Sequence, residues 1–524
     1  MLWWTLWHGL SLLLVMAVPF HSRNPPLGPP IETSLAVPLL KGVGYLLLAL
    51  YGSTASRRTR GLRWFELPLV AALLVAIAQF ALRPPLTFTL TDLSISMGLA
   101  LALAVVPYFT LPAWPAVSIG VAGVAVAAAA VLLPSPLAPN VEPHILSSLY
   151  YQLDAIVHTG LTSSTSSTAP RRGGAIERRG SAIILATGDG NFYRLDRDAS
   201  GGLVSRPLPM QVRLEQEAID ATEGAPQGDR QPLSLTDITL DISTTPPTVY
   251  ASWENWDVER ACMTLRVGAR ELTEDSASAA PAADWRVLFD SWPCLPISAN
   301  FDLPQSGGRL AWLGDELLVT VGHVGLPETP VPPSQDPSVA YGKIVAIDVY
   351  AEPGTGAGAQ IFSSGHRSQQ GLFADGDRVW STEHGARGGD ELNLITRGGN
   401  YGYPYVVWGT QYVGETLRKL QPHEEATFTQ PVHAFVPSIA ISNLIRVEGQ
   451  LFTEWRGDLL IGSLAAQTLH RVRLIGDRVV YVEPIAVGYR IRDIIEDGDG
   501  RIMMWTDEGA VLELRPRRAV PVSN

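Results

Sequence analysis

Hydrophobic residues are distributed unevenly along the chain. Before residue 134 they form long, almost uncharged runs, five of which approach the length of about 20 residues that a helix needs to cross a bilayer. These runs are 2–20, 35–51, 66–82, 94–111 and 115–133. Beyond residue 140 the apolar runs are short and lie close to Gly or Asp. The pattern predicts an α-helical membrane domain of about five transmembrane helices followed by a β-rich domain.

Arginine placement predicts the orientation of the membrane domain. Four arginines lie in the loop between the second and third runs: Arg57, Arg58, Arg60 and Arg63. Positive loops favour the cytoplasmic side, so we expect everything after residue 134 to lie outside the membrane. A cleaved signal peptide is the alternative for the first run, although that run lacks a basic leader.

The segment beyond residue 172 repeats a short apolar run beside a tight turn. The copies are 181–195, 237–255, 307–325, 371–385, 455–474 and 491–514. Short strands without a helical period between them predict a β-propeller. A β-sandwich is the alternative, but a region of roughly 345 residues is long for a single sandwich. We divide the chain into a transmembrane domain (1–134), a linker (135–171), the propeller (172–517) and a C-terminal tail (518–524).

Charge and cysteine content narrow the functional classes. The chain carries a net charge of -12, and its lysines are Lys41, Lys343 and Lys419. A chain this acidic has no electrostatic basis for binding nucleic acid. The two cysteines, Cys262 and Cys294, either form a disulfide in an oxidising compartment or pack as two small apolar side chains.

One segment, TEHGARGGDELNLITRGGNYGYP (382–404), combines glycines with adjacent acids. Glycines let the backbone turn sharply, and the carbonyls of Gly385 and Ala386 beside Asp390 and Glu391 are hard oxygen ligands of the kind that Ca²⁺ prefers. A tight turn between blades with solvated acids is the alternative. The segment is therefore a candidate calcium site.

Two motifs resemble the soluble quinoprotein glucose/sorbosone dehydrogenase family. They are GHRSQQGL (365–372) and EHGARGGDELNLITRGGNYGYP (383–404). Shorter similar stretches occur at 307–310, 437–440 and 489–493, in the same order along the chain as in the family. The resemblance implies an all-β, six-bladed propeller that holds pyrroloquinoline quinone (PQQ) and Ca²⁺. It also implies oxidation of an aldose by hydride transfer from the anomeric carbon to PQQ.

The resemblance also implies roles for individual residues. Those implied to contact the cofactor are Arg367, Ser368, His384, Arg490 and Arg492, with the last two paired to its carboxylates. Those implied to bind Ca²⁺ are Gly385 and Ala386 through their carbonyls, and Asp390, Glu391 and Tyr401 at a second, structural ion. Without the resemblance, two arginines on one strand are also typical of a solvated face.

Several positions depart from the family pattern. Gln305 stands where the family has the His that acts as general base, and a neutral amide cannot accept a proton. Ala465 stands where a Lys is expected to contact the cofactor. His323, His366 and His384 are candidates for the missing base, although a lone His near a strand end is more often a structural residue. We take Gln305, Arg367 and His323 as the catalytic candidates.

The implied partners are an aldose or related sugar and the membrane. Five spans before a periplasmic quinoprotein propeller is also the layout of membrane-bound glucose dehydrogenases, so a quinone or a cytochrome is the expected electron acceptor. We expect location in the bacterial inner membrane with the propeller on the periplasmic or extracellular side. The alternative function is a catalytically degenerate propeller that binds Ca²⁺ and a sugar or another protein.

Overall fold

A computed structural model describes residues 144–162, 173–220, 233–274, 285–296, 305–324, 331–351, 358–410 and 427–517. The five expected transmembrane runs lie outside these residues. Among the residues that are described, no helix is long and apolar enough to cross a membrane. The tail at 518–524 also lies outside the described part.

The described residues form six antiparallel sheets, which we number as blades. Blade 1 contains β3 (Gly174–Arg179), β4 (Ala182–Thr187), β5 (Asn191–Arg197) and β6 (Leu203–Gln211); blade 2 contains β7 (Leu235–Asp241), β8 (Thr248–Asp257), β9 (Cys262–Glu271), β10 (Arg286–Asp290) and β11 (Leu295–Pro296); blade 3 contains β12 (Gly307–Leu313), β13 (Glu316–Val321), β14 (Lys343–Asp348) and β15 (Ala359–Ser364). A short helix, α1 (Gln216–Asp220), lies between blades 1 and 2.

The second half of the propeller repeats this order. Blade 4 contains β16 (Gln369–Asp375), β17 (Arg378–Glu383), β18 (Asp390–Ile395) and β19 (His433–Phe435); blade 5 contains β20 (Ile441–Arg446), β21 (Leu459–Ser463), β22 (Thr468–Ile475) and β23 (Arg478–Ala486); blade 6 contains β24 (Ile491–Glu496), β25 (Ile502–Thr506), β26 (Val511–Pro516), β2 (Gln152–His158) and β1 (His144–Ser147). The first strands β3, β7, β12, β16, β20 and β24 contact one another in a closed ring around the axis. The six-bladed propeller is therefore confirmed, and the sandwich alternative is wrong.

The first two strands correct the domain boundary. Residues 144–158, which the sequence placed in the linker, form β1 and β2 and complete blade 6. The pairing between β2 and β26 runs from Leu153 opposite Pro516 to His158 opposite Val511. Strands from the two ends of the propeller thus share one sheet, and this pairing closes the ring. The propeller therefore begins before residue 172.

Apolar clusters fill the spaces between neighbouring blades. Six clusters among the described residues fill the six interfaces, one each, and a seventh, smaller cluster packs α1 against blade 2. Successive residues of a strand point to opposite faces, so Ile184 packs against blade 2 whereas Leu185 packs against blade 6. Strands covered on both faces read as continuous apolar runs, which explains the pattern that marked them in the sequence.

A disulfide joins Cys262 to Cys294, with a Cα–Cα distance of 5.5 Å. It links the start of β9 to the segment that enters β11, and Cys262 also pairs in register with Pro296. Of the two alternatives left open by the sequence, the disulfide is confirmed. Closing a 32-residue separation restricts the unfolded chain.

One backbone hydrogen bond repeats in five blades and defines an end of the channel. In each, a residue within or just after the second strand donates its N–H to the carbonyl just before the first strand, over 2.8–3.0 Å. The donor and acceptor pairs are Glu254 and Ser234, Gly322 and Ser306, His384 and Ser368, Leu464 and Ala440, and Asp507 and Arg490. We call these ten positions the channel mouth. They lie at the same level around the axis, so side chains far apart in sequence meet there.

Arg309, on β12, crosses the channel below the mouth. Its side chain is 3% exposed and donates to the backbone oxygens of Gln370 (2.9 Å) and Arg492 (2.7 Å). It also lies 3.2 Å from Asp237 and 3.6 Å from Asp493. One guanidinium thereby ties blade 3 to blades 2, 4 and 6. Burial raises the pKa of Asp237 to about 7 even though Arg309 opposes that rise.

We expect Arg309→Met to lower the free energy of unfolding by about 3–5 kcal/mol, because two buried carboxylates lose their cation. The loss should be larger at pH 8 than at pH 5, where protonation relieves the unpaired charges. Urea unfolding at both pH values measures this. Arg378→Ala, which breaks a partly exposed pair with Asp477, is the control and should cost about 1 kcal/mol or less. Equal losses in the two variants would contradict the channel role of Arg309.

Candidate functional site

Two arginines at the mouth share one buried carboxylate. Nε of Arg490 lies 3.0 Å from Asp507, and Arg492 makes two bonds to the same carboxylate at 2.8 and 3.0 Å. Burial opposes ionisation of Asp507, but the two guanidiniums outweigh it and hold its pKa below the usual value. The Glu508 carboxylate also accepts the backbone N–H of Arg490 over 3.2 Å, so two acids lie beside the two guanidiniums. The solvated-face alternative for these arginines is therefore wrong.

Arg490 reaches the neighbouring blade as well. Its Nη1 donates to the backbone oxygen of Leu464 over 3.3 Å. This segment, Leu464-Ala465, is where the family pattern has a lysine. Ala465 carries no charge where the family pattern has a lysine. The guanidinium of Arg490, from blade 6, brings a positive charge to this position.

Arg367 occupies the same mouth from blade 4. Its Nη1 donates to the backbone oxygens of His384 (3.2 Å) and Gly385 (3.1 Å). Glu383 accepts its backbone N–H and also lies 2.9 Å from Nδ1 of His366. Arg367 is therefore held in place at both its backbone and its guanidinium.

His366 and His384 both contact protein groups through their rings. Nε2 of His366 lies 2.9 Å from Ser363, and its ring stacks on Tyr401 at a centroid distance of 4.7 Å. Nε2 of His384 lies 2.7 Å from the backbone oxygen of Ile441. Burial lowers the pKa of His384. Both ring nitrogens of His366 are bonded to protein groups, so His366 does not fit the missing base, whereas the bond given for His384 uses Nε2 alone.

Ser368 lies at the mouth beside Arg367 but is fully buried. Its backbone oxygen accepts the N–H of His384 over 2.9 Å, and its hydroxyl lies 3.2 Å from Nε2 of Gln370. The resemblance implied that Ser368 contacts the cofactor. Its observed contacts instead fix the start of β16, and its side chain does not face open space.

Asp390 does not fit the metal role expected for it. Its carboxylate accepts four hydrogen bonds: from Gly385 N (3.0 Å), Ser438 Oγ (2.8 Å), Ile439 N (2.9 Å) and Ile441 N (3.1 Å). These use the roughly four acceptor positions of a carboxylate. Asp390 is a structural residue that joins the glycine-rich loop to blade 5.

Tyr401 is likewise engaged. Its hydroxyl donates to the backbone oxygen of Leu394 over 2.6 Å and accepts the N–H of Thr396 over 3.0 Å. The phenol oxygen is therefore satisfied by the chain itself, and the side chain does not fit as a metal ligand. Its ring instead supports His366.

Glu391 fits a cation better than its neighbour. Burial, and then the nearby Glu383 charge, raises the pKa of Glu391 to about 8. Its protein bond is to Nδ2 of Asn393 at 3.0 Å. Within the described residues, no three His, Cys, Asp or Glu side chains are grouped so as to hold a metal ion. A cation here would need backbone oxygens in addition.

A small cleft opens beside the mouth. Its walls are Arg367, Glu383, His384, Gly385, Ala386, Gly389, Glu391, Tyr401, Tyr403, Val406, Val407 and Trp408. Gly389 packs so closely on the backbone of Trp408 that a Cβ there would collide with it. Arg387 and Thr410 exchange two backbone hydrogen bonds at 2.8 and 3.0 Å. The sequence motif thus builds one wall, and the segment 405–410 builds the other.

Gln305 and His323 lie at the same end of blade 3. The backbone oxygen of Gln305 packs against Gly322, and the next residue, His323, donates its backbone N–H to the Arg367 oxygen over 2.7 Å. His323 is 3% exposed, and its Nε2 has no hydrogen-bond partner among the described residues. Burial, then Arg367 and Lys343, lowers its pKa to about 4. The next residue, Val324, has φ of 51°, a strained value for a β-branched side chain.

Sequence reasoning missed three charged groups at this end of the channel. They are Glu254, Glu383 and Asp507. Asp507 and Glu254 belong to no matched motif, and their proximity to the arginines arises from the circular arrangement of blades. The repeated position near the end of each second strand is the signal that could have identified them.

A family model, "Glucose / Sorbosone dehydrogenase", matches residues 213–513. The chain belongs to this family. It is 31% identical to the aldose sugar dehydrogenase YliI of Escherichia coli over 266 residues, or 48% of this chain and 68% of that protein. It is also 34% identical to an uncharacterized protein of Synechocystis over 258 residues, spanning 44% of this chain and 60% of the relative.

Solved structures agree with the fold. A crystal structure of a glucose dehydrogenase is 26% identical, with a TM-score of 0.53, and the match covers 67% of this chain and 97% of that chain. The soluble aldose sugar dehydrogenase of Escherichia coli in its apo form is 24% identical, also with a TM-score of 0.53, and covers 70% of this chain and 100% of that one. The six-bladed architecture of these family members is thus shared.

The mouth fits an anionic cofactor. Arg490 and Arg492 retain donor groups beyond those that bind Asp507, and guanidiniums bind carboxylates through paired N–H groups. The Nε2 of His323 is buried without a hydrogen-bond partner among the described residues, but His323 does not line the cleft. Of the residues that the resemblance implied for PQQ, the two arginines and Arg367 fit best.

We expect Asp390→Asn to lower the free energy of unfolding by about 2 kcal/mol or more. Both carboxylate oxygens accept from donors, so an amide in either orientation turns its NH₂ towards donors. Glu391→Gln is the matched control and should change stability little at pH 7, because Gln resembles the protonated Glu391 favoured there. Chemical denaturation measures both. Equal losses would contradict a structural role specific to Asp390.

Proposed function

We propose that this protein is a membrane-anchored, PQQ- and Ca²⁺-dependent aldose dehydrogenase. The observation that carries the proposal is the convergence of Arg367, Arg490 and Arg492 at one end of the channel, where Asp507 leaves part of their charge uncompensated. Such a surface binds a multiply charged anion. Membership of the glucose/sorbosone dehydrogenase family makes a sugar the expected substrate class.

Each residue at the mouth would have its own role in binding PQQ or the sugar. Arg490 and Arg492 would bind the carboxylates of PQQ, and Arg367 would lie beside its quinone oxygens. When bound, the cofactor supplies the ortho-quinone that accepts a hydride from the anomeric carbon of the sugar. His323 remains neutral at pH 7 because of its lowered pKa, so its ring can orient a sugar hydroxyl by hydrogen bonding.

Calcium would lie near the same loop. The carbonyls of Gly385 and Ala386 and the carboxylate of Glu391 line the cleft and are hard oxygen donors. A cation there would relieve the repulsion between Glu391 and Glu383 that raises the pKa of Glu391. Arg367 already contacts the Gly385 oxygen, so the ion would share this carbonyl with the guanidinium.

The remaining expectations concern location and electron transfer. The apolar runs before residue 134 would anchor the chain in the bacterial inner membrane, and the Cys262–Cys294 disulfide suits a propeller on the periplasmic or extracellular side. A membrane quinone or a cytochrome would then reoxidise the cofactor. No nucleic-acid partner is proposed for so acidic a chain.

Gln305 favours a second candidate function. This residue cannot act as a general base, and a propeller that had lost catalysis would bind Ca²⁺ and a sugar or a protein at the same mouth. The two candidates differ in whether sugar reduces the bound cofactor. The charged arginine cluster favours the enzyme.

We expect the full chain with Ca²⁺ to bind PQQ and a bound-cofactor absorbance to bleach when an aldose is added. Arg490→Ala and Arg492→Ala should each weaken PQQ binding about 10-fold or more, because each removes a charge-assisted bond. Calorimetric titration measures the affinities. Arg478→Ala, on the exposed outer strand of blade 5, is the control and should bind as the wild type does. Absence of binding at micromolar PQQ would exclude the enzyme.

Calcium should raise the melting temperature of the wild-type chain, since an ion bound only to the folded state stabilises it. Glu391→Gln should reduce this shift, whereas Asp377→Asn, in an exposed turn, should not. Differential scanning calorimetry with Ca²⁺ and with a chelator measures it. A full Ca²⁺ shift in the Glu391 variant would place the ion elsewhere.

A further inference from the structure

Hydride abstraction from a hydroxyl-bearing carbon leaves a proton that some group must receive. Gln305 cannot receive it, and among the ten mouth positions Glu254 is a carboxyl that the proposed function does not use. Glu254 lies within β8 of blade 2, three residues before the strand ends. It occupies the same level of the mouth as His384 and Asp507, because all three make the repeated backbone bond.

Glu254 is buried and bonded to two serines. Its side chain is 3% exposed. Oε1 accepts a hydrogen bond from the Ser306 hydroxyl at 2.8 Å, and Oε2 accepts from Ser234 through both N (2.8 Å) and Oγ (3.1 Å). Ser306 directly follows Gln305 and precedes β12, so a hydroxyl connects the buried carboxylate to the segment that carries Gln305.

Charge favours proton uptake at this carboxylate. Burial raises the pKa of Glu254 to about 7, while bonds from Ser306 and Ser234 and the charge of Arg492 hold it from rising further. Protonation there removes a buried negative charge. Ser234 precedes β7, Ser306 precedes β12 and Arg492 lies on β24, so the carboxylate is surrounded by two hydroxyls and one cation. A pKa near the working pH is what a general base requires.

His323 is the competing acceptor, and its surroundings oppose the role. Burial, Arg367 and Lys343 all disfavour its imidazolium. Protonation of His323 would create a cation beside two other cations, whereas protonation of Glu254 would discharge a buried anion. The electrostatics therefore favour Glu254.

We propose that Glu254 receives the proton of the sugar's anomeric hydroxyl, with Ser306 as the relay. This inference rests on the proposed function. The O–H bond of the sugar breaks as its C–H bond gives a hydride to the quinone cofactor, and the carbonyl C=O bond forms. The sugar proton passes to Oγ of Ser306 while the Ser306 proton passes to Oε1 of Glu254. The sugar loses two electrons, and the quinone gains them.

The test uses the full chain loaded with PQQ and Ca²⁺. In Glu254→Gln, cofactor reduction by an aldose should slow by about 10²–10⁴-fold with PQQ affinity unchanged. The wild-type rate should rise with pH through about 7, because only ionised Glu254 accepts a proton, and this rise should vanish in the variant. Ser306→Ala should slow cofactor reduction to a similar degree, since it removes the hydroxyl that relays the proton to Glu254. Glu254→Asp should restore part of the rate.

A second measurement needs no turnover. The infrared difference between the wild type and Glu254→Gln, recorded on the cofactor-free chain, should contain a protonated-carboxyl band that disappears as pH rises through about 7. Glu259→Gln, in the exposed turn after β8, is the matched control and should leave the rate, its pH profile and this band unchanged.

The outcomes separate the two proposals. If the wild type reduces PQQ but Glu254→Gln keeps its rate and pH profile, the relay is wrong and the dehydrogenase proposal stands. If His323→Asn abolishes the rise with pH while Glu254→Gln does not, His323 is the acceptor. If the wild type neither binds PQQ nor reduces it, the dehydrogenase proposal and the relay fail together.

Discussion

The geometry of the mouth depends on the ion pairing of Arg309 inside the channel. This single guanidinium contacts Asp237 of blade 2, the Gln370 oxygen of blade 4 and the Arg492 oxygen of blade 6. Its last two contacts are backbone atoms of the strands that present Arg367 and Arg492 to the mouth. Because the channel is buried, removing Arg309 would leave Asp237 and Asp493 without the cation that faces them. A structural ion pair thus sets the positions of the functional arginines.

The arginines at the mouth are also held by ion pairs and hydrogen bonds that neutralise only part of their charge. Asp507 holds Arg490 and Arg492 side by side without neutralising both, and backbone oxygens hold Arg367 without neutralising it at all. Two acids, Glu383 and Glu391, line the same cleft as Arg367. Basic and acidic side chains therefore meet at the cleft, where an anionic cofactor and a divalent cation would each find groups of opposite charge.

Much of the propeller could be predicted because each middle strand is covered on both faces. Runs such as 182–186 and 317–319 are continuously apolar for that reason. β1 and β2 could not be predicted, since the partner of β2 is β26 at the far end of the chain. Asp390 was assigned to metal because a motif shows which residues are adjacent but not which donors surround them. Glu254 and Asp507 were missed because only the ring of blades brings them to the arginines.

The most direct measurement is a crystal structure of the full chain grown with PQQ and Ca²⁺. We expect density for the cofactor at the channel mouth, with its carboxylates on Arg490 and Arg492 and its quinone oxygens towards Arg367. We also expect Glu254 to remain bonded to Ser306 beside the sugar site. Cofactor bound elsewhere on the propeller, or a mouth closed by the Asp507 pairs with no ligand, would contradict the functional assignment made from this arrangement of charges.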